Sequence, residues 1–116
     1  MPGEMDQMRK GTTQVAILKL LADADEPLHG YEIIQRLEAR SQGYFRFKEG
    51  LVYPTLHRME QEGLLKSRWV DEPGKRRRKV YSVTARGRRQ LEAELQQWEE
   101  LSRGVSLLLG LEKAHS

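Results

Sequence analysis

The chain has 116 residues, of which 38% are hydrophobic and 32% are charged. This length fits one domain, and the composition is typical of a folded protein with a heavily charged surface. The absence of cysteine excludes disulfide bonds, thiolate catalysis and thiolate metal sites, and it fits a reducing cytoplasm. No apolar run reaches the roughly 18–20 residues that span a bilayer. We therefore expect a cytoplasmic protein with no membrane partner.

Charged residues are arranged in blocks along the chain. The formal net charge is only +3, but residues 75–91 contain basic side chains and no acidic one. Residues 92–100 contain acidic side chains and no basic one. A basic block beside an acidic block indicates one surface that meets a polyanion and another that faces elsewhere.

The first two helices are predicted from apolar periodicity and end signals. Residues 1–11 are polar and are expected to be flexible, with Thr12 or Thr13 as the N-cap of the first helix, unless the polar segment itself extends that helix. The second helix is predicted to begin beside His29, which would cap it, and to end by Gly43.

The third helix is predicted over about residues 50–62. Pro54 lacks a backbone N–H and is tolerated near a helix N-terminus, so it indicates a start close to Gly50. Gly63 is a natural C-terminal cap. The spacing i, i+4, i+7 predicts an inward face made of Val52, Leu56 and Met59.

The period then changes from helical to strand-like. Residues 66–70 and 79–83 are predicted to be two β-strands, and residues 71–74 carry Asp, Pro and Gly, which favour a turn between them. Thr84 is a good N-cap for a final helix over residues 85–109. Trp69 is expected to pack on the core from the first strand.

This order predicts a mainly α protein with a small β-hairpin. Three helices, a hairpin and a long helix are typical of a winged helix-turn-helix followed by a C-terminal dimerisation helix. The predicted division is a flexible segment at 1–11, a winged helix at 12–84, and a dimerisation helix with a tail at 85–116.

The final helix carries a heptad-like apolar seam that a small core cannot fully cover. Two copies would bury it mutually, although the helix could instead fold back on its own domain. The predicted interface residues are Leu91, Leu95, Trp98, Leu101, Val105, Leu108 and Leu109.

Two sets of residues are candidates for contact with double-stranded DNA. The outward face of the third helix and the residue before it could reach phosphates or base edges, and the hairpin carries cations with no nearby acid in sequence. The alternatives are a solvated helix face, a flexible charged loop, and partial burial of Tyr53. The candidates are Lys48, Gly50, Tyr53, Pro54, His57, Arg58, Lys75, Arg76, Arg77, Arg78 and Lys79.

Several stretches together resemble the PadR-like transcriptional regulators. The combination of residues 27–33 (PLHGYEI), 49–60 (EGLVYPTLHRME) and 81–87 (YSVTARG) is specific, and the match spans about residues 10–98. The resemblance implies a cytoplasmic homodimeric repressor on an inverted-repeat operator, with Tyr53, Pro54 and the hairpin facing DNA. It also implies that Trp98 could border a pocket for a small aromatic effector, although ordinary dimer packing is the simpler role for this residue.

Other functions have weaker support in the sequence. The alternatives are a winged helix used for protein–protein contact, a small enzyme, and RNA binding through the aromatic cluster Tyr44, Phe45 and Phe47. We predict no catalytic residue, no cofactor and no metal site, because no phosphate loop or nucleophile–base pair is evident. The histidines lack metal-ligand spacing; they are His29, His57 and His115.

Overall fold

The described residues form four helices and a three-stranded sheet. A computed structural model of the protein describes the backbone of residues 2–111 and the side chains of residues 11–111. Met1 and residues 112–116, which include His115 and the end of the predicted tail, lie outside the described residues. In chain order the elements are α1 (Pro2–Asp23), β1 (Leu28–His29), α2 (Gly30–Arg40), α3 (Glu49–Gln61), β2 (Leu65–Val70), β3 (Arg78–Val83) and α4 (Ala85–Leu109).

The predicted winged helix-turn-helix with a long C-terminal helix is confirmed. β2 and β3 form an antiparallel hairpin whose register places Leu65 opposite Val83 and Val70 opposite Arg78. We call this hairpin and its turn, residues 65–83, the wing. β1 pairs with the other edge of β3, so that the strand order is β1-β3-β2.

The strand β1 was not predicted from the sequence. It has only two residues, Leu28 and His29, which pair with Tyr81 and Val80 of β3. Two residues are too short to show the alternation of side chains by which a strand is recognised. Because β1 directly precedes α2, this pairing attaches the start of α2 to the wing.

The predicted start of the first helix was wrong, because α1 continues to Pro2. Thr13 is fully buried within α1, so neither it nor Thr12 is an N-cap. Pro2 is compatible with a first helical position. Gly11 costs about 1 kcal/mol relative to alanine inside a helix, which is too little to end it. The proposed domain division remains a prediction.

The core lies between the helices α1, α2 and α3 and the sheet. The predicted inward face of α3 is confirmed, since its residues are fully buried. Burying each large apolar side chain contributes about 1.5–3 kcal/mol. The apolar residues with no exposed surface in this core are Ile17, Leu18, Ile33, Val52, Leu56 and Met59.

Side-chain caps stand at the starts of α2 and α4, and a glycine follows the end of α3, as the sequence indicates. His29 Nδ1 accepts a hydrogen bond from the Glu32 N–H at 3.2 Å, and Thr84 Oγ1 accepts one from the Gly87 N–H at 2.9 Å. Gly63 follows α3 with φ of 79°, a left-handed conformation that costs glycine little. The three predicted caps are therefore confirmed.

Gly87, in the first turn of α4, gives a prediction about stability. A Cβ at this position would lie 2.1 Å from the Leu64 carbonyl oxygen and 2.7 Å from Val83 Cγ2. We expect Gly87→Ala to lower the free energy of unfolding by about 3 kcal/mol, because backbone cannot rotate away from the added methyl group. Urea denaturation measures this loss.

Gly104 is the matched control for this prediction, since it lies in the same helix and a Cβ there meets open space. Gly104→Ala should raise the free energy of unfolding by about 0.5–1 kcal/mol through lower backbone entropy in the unfolded chain. Equal effects of the two substitutions would contradict the close packing of Gly87.

Candidate nucleic-acid interface

The predicted residues of α3 adjoin one another on its exposed side. We call this set the reading face: Lys48, Gly50, Tyr53, Pro54, His57 and Arg58, all of which are exposed. α3 begins at Glu49, one residue before the predicted start, and places Pro54 inside the helix. Arg58 also forms an ion pair at 3.0 Å with Glu62, the residue that follows α3.

Tyr53 is positioned by its contact with Gly30, a residue that sequence reasoning did not select. A Cβ on Gly30 would lie 2.4 Å from Tyr53 Cε1, so only glycine lets the ring pack against the start of α2. The side chain remains 42% exposed. Burial of part of the phenol, with help from the Glu49 charge, raises the pKa of Tyr53. Its hydroxyl therefore remains a proton donor at neutral pH.

The cations of the wing are not as isolated as the sequence indicated. Acidic side chains from the turn pair with two of them, Asp71 with Arg77 at 2.8 Å and Glu72 with Lys75 at 3.3 Å. The prediction that no acid lies nearby was therefore wrong, because the turn folds its own carboxylates back onto the basic run. Exposed pairs of this kind contribute only about 0–1 kcal/mol, so a phosphate can replace the carboxylates.

Four of the five cations lie at the exposed end of the wing, which we call the wing tip: Lys75, Arg76, Arg77 and Arg78. Arg78 Nη1 lies 3.1 Å from Nε2 of His29 in β1. Lys79 differs from these four, since it lies on the side of the wing that faces α3 and is only partly exposed.

Trp69 does not pack on the core, contrary to prediction. It is 56% exposed because the far half of β2 extends beyond the helices. The guanidinium of Arg77 lies over its ring, 5.2 Å from the centroid. Trp69 pairs directly with Lys79 across the hairpin, which places both side chains on the same face of the sheet.

Glu60 of α3 binds both strands of the wing with one carboxylate. Its Oε2 accepts a hydrogen bond from the Ser67 hydroxyl of β2, and its Oε1 lies 3.0 Å from Lys79 Nζ of β3. The ammonium of Lys79 also lies 5.5 Å from the centroid of the Tyr81 ring. The wing is thus fixed against α3 midway along its strands.

The same contacts shift two pKa values. The Ser67 hydrogen bond, followed in effect by Lys79, lowers the pKa of Glu60 from its ordinary 4.5 in spite of partial burial. The hydrogen bond to Glu60 raises the pKa of Lys79 from its ordinary 10.5. Both charged forms are therefore favoured in the folded protein at neutral pH.

These shifts predict a pH-dependent contribution to stability. The lowered pKa of Glu60 stabilises the fold above pH 4.5, and the contribution is lost as pH falls through the lowered folded value. We expect Glu60→Gln to melt several degrees below the wild type at pH 7 and close to it in strong acid. Thermal denaturation across this pH range is the measurement, and a Tm difference that is constant with pH would contradict it.

The final helix presents an apolar surface that its own chain leaves uncovered. Leu91 is an exception to the predicted seam, because it is only 6% exposed and belongs to the core of its own chain. Leu95 is partly buried against the same core. The remaining predicted residues form what we call the apolar stripe: Trp98, Leu101, Val105, Leu108 and Leu109, all exposed.

The aromatic cluster before α3 is split between surface and core. Tyr44 is 83% exposed and meets Phe45 edge-on, with ring centroids 4.9 Å apart. Phe47 is buried beneath them. Stacking of several bases needs several open rings, so this arrangement favours packing over RNA binding.

The described residues also bear on metal binding and on membrane insertion. Among residues 11–111, whose side chains the structure describes, no group of three His, Asp or Glu side chains could hold a metal ion. No helix within residues 2–111 is long and apolar enough to cross a membrane.

Comparisons with known proteins agree with this architecture. Transcriptional regulator Rv3488 of Mycobacterium tuberculosis is 42% identical over 82 residues, which cover 71% of this chain and 73% of that protein. The crystal structure of a PadR-like transcriptional regulator from Bacillus cereus has a TM-score of 0.73 at 33% identity, covering 89% of this chain and 96% of that one.

A second similar structure is the crystal structure of Bacillus subtilis PadR in complex with operator DNA. Its TM-score is 0.62 at 28% identity, and the similarity covers 71% of this chain and 45% of that one. The family model of the PadR-like transcriptional regulators matches residues 17–93. The chain therefore belongs to the PadR-like family of transcriptional regulators.

Proposed function

We propose that this regulator is a homodimeric repressor that binds double-stranded DNA at an inverted-repeat operator. The observation that carries the proposal is the position of the reading face beside a basic wing that Glu60 fixes to the same helix. An exposed helix and an adjoining cationic hairpin can contact bases and backbone of one duplex together.

α3 is suited to the major groove by its shape and its donors. Gly50 and Pro54 carry no long side chain, so the helix can approach the base edges closely. His57 and Arg58 can donate to base edges or phosphates. Lys48 precedes the helix, where its charge and the free N–H groups of the first turn favour a phosphate.

The wing tip supplies contacts that do not depend on sequence. Each phosphate that a cation neutralises releases condensed counterions from DNA, which favours binding at low salt. The operator complex of Bacillus subtilis PadR supports the same partner for this chain, given the similarity of fold. We also propose the cytoplasm as the site of action, because the DNA partner would be found there.

The apolar stripe supports the dimer. Exposed apolar surface of this extent on a long helix is costly in water and is removed when a second copy covers it. Two-fold symmetry would place the two copies of α3 about 34–36 Å apart, in successive major grooves. Inverted-repeat half-sites would match that symmetry.

Trp98 lies at the beginning of the apolar stripe and is 36% exposed. A flat ring at the edge of a two-fold interface could stack on a small aromatic molecule, as the family resemblance implies. We propose this as a regulatory site between the two copies. Packing of Trp98 against the partner helix is the alternative.

Selection of bound sequences from a random DNA pool tests the proposed function. A palindrome with half-sites one helical turn apart is the expected result, because it reports sequence reading and two-fold symmetry together. Enrichment of a single asymmetric site would contradict the symmetric dimer.

The alternative is a winged helix used only for contact with another protein. Titration with random duplex at low and high salt distinguishes the two, since phosphate contacts weaken as salt rises. If no duplex binds even at low salt, DNA binding is wrong.

Tyr53→Ala tests the reading face. We expect operator affinity to fall by about 1–3 kcal/mol, the range of one good specific contact, with little change in Tm. Tyr53→Phe keeps the ring against Gly30 and shows how much of the loss is due to the hydroxyl. A large fall in Tm for the alanine variant would instead assign Tyr53 to the core.

A further inference from the structure

Lys79 is the one cation of the basic run that is bound by a residue of α3. Its Nζ lies 3.0 Å from Glu60 Oε1, and its side chain is 30% exposed, whereas Arg77 and Lys75 are 63% and 60% exposed. The partners of Arg77 and Lys75 are turn carboxylates that lie at the open end of the wing. Those pairs can open by small movements of the turn.

The Lys79 pair is harder to open. The second oxygen of Glu60 accepts from Ser67, so the carboxylate is fixed at two points and cannot follow the lysine outward. The ammonium also lies over the Tyr81 ring, 5.5 Å from its centroid. To reach a phosphate, Lys79 would have to leave a carboxylate, an aromatic face and partial burial at once.

We propose that Glu60 withholds Lys79 from the DNA backbone and thereby removes one sequence-independent phosphate contact from each protomer, so that it limits the affinity for DNA of any sequence. This rests on the proposed DNA-binding function, and it revises the initial assignment of Lys79 to the interface. Phosphate contacts strengthen binding to every sequence equally, whereas base contacts distinguish one sequence from another. Withholding a phosphate contact thus lowers affinity for random and operator DNA by the same factor.

The test compares salt slopes, the change of log affinity with log salt, for random duplex and for the selected operator. In Glu60→Gln the side chain keeps an acceptor for Ser67 but loses its charge, so Lys79 is released. We expect the slope to steepen by about 0.9 for each protomer, or about 1.8 for the dimer. Random duplex and operator should both bind more tightly, and the ratio of operator to random affinity should stay unchanged.

Three further variants separate charge from structure. Glu92→Gln removes the same charge from an exposed position on α4 and should leave the slope unchanged. Lys79→Met alone should also leave it unchanged, and Lys79→Met added to Glu60→Gln should restore the wild-type slope. Circular dichroism at the binding temperature checks that each variant is folded.

The outcomes distinguish this inference from the proposed function. Wild-type protein that binds no duplex at low salt overturns both. If the wild-type protein binds duplex with a salt slope and Glu60→Gln has the same slope, only the role of Glu60 is overturned. A flatter slope in Lys79→Met alone also overturns it, since Lys79 would then contact phosphate in the native protein.

Discussion

Replacing Arg76, Arg77 and Arg78 with alanine should abolish most of the salt dependence of DNA binding. Three contacts in each protomer make six in a dimer, and six phosphate contacts account for about a 10³-fold change in affinity between about 50 and 200 mM salt. The triple variant should lose that response for operator and random duplex alike, because phosphates carry no sequence information. Fluorescence anisotropy of a labelled duplex at several salt concentrations measures it.

The control for this prediction removes three arginines elsewhere on the surface. Arg36 and Arg40 of α2 and Arg103 of α4 are exposed, so their replacement changes the net charge by the same amount. This control should lower DNA affinity slightly, because the protein as a whole becomes less positive. Its salt slope should stay close to that of the wild type. Equal slopes for the two triple variants would show that the wing tip does not contact phosphate.

Placing charge on the apolar stripe should separate the dimer. Leu101→Glu combined with Val105→Glu buries two carboxylates in each helix of the proposed interface, a cost that apolar contact cannot offset. We expect a monomer in sedimentation velocity experiments. Operator affinity should fall about 100-fold or more, because two linked half-sites reinforce each other through effective concentration.

Leu107 offers a matched control in the same helix. It is 63% exposed, and it lies about 160° around the helix axis from Val105, opposite the apolar stripe. Leu107→Glu should leave both the molecular mass and the operator affinity nearly unchanged. If Leu107→Glu dissociates the protein while the stripe variant does not, the dimer uses the other face of α4.

Local signals explain which parts of the fold could be predicted from the sequence. The cap at Thr84, the glycine at Gly63 and the inward spacing of α3 each involve residues within one or two turns of one another. Local chemistry of this kind is visible in a linear chain. The order of helices and hairpin followed from these signals.

The errors come from contacts between distant parts of the chain. β1 exists only because β3, some fifty residues later, offers an unpaired edge to Leu28. Trp69 is apolar in a strand, but the length of β2 carries it past the helices that would have covered it. Leu91 has the spacing of an interface residue, yet the start of α4 docks on the core.

The ion pair between Lys79 and Glu60 could not be predicted for the same reason, because it joins distant parts of the chain. In sequence Lys79 is the last of five equivalent cations, and nothing local distinguishes it from the other four. Only the fold brings α3 beside the wing and assigns a carboxylate to this lysine. The exposure of the predicted α3 residues could be expected from the sequence, whereas the ion pair that holds Lys79 could not.

The two tryptophans of the chain lie on its two proposed contact surfaces. Trp69 is on the wing beneath Arg77, and Trp98 is on the apolar stripe. Indole emission responds to local polarity, so each ring serves as an optical probe of one surface without an added label. Trp98→Phe would leave only the wing signal, and Trp69→Phe only the signal of the long helix.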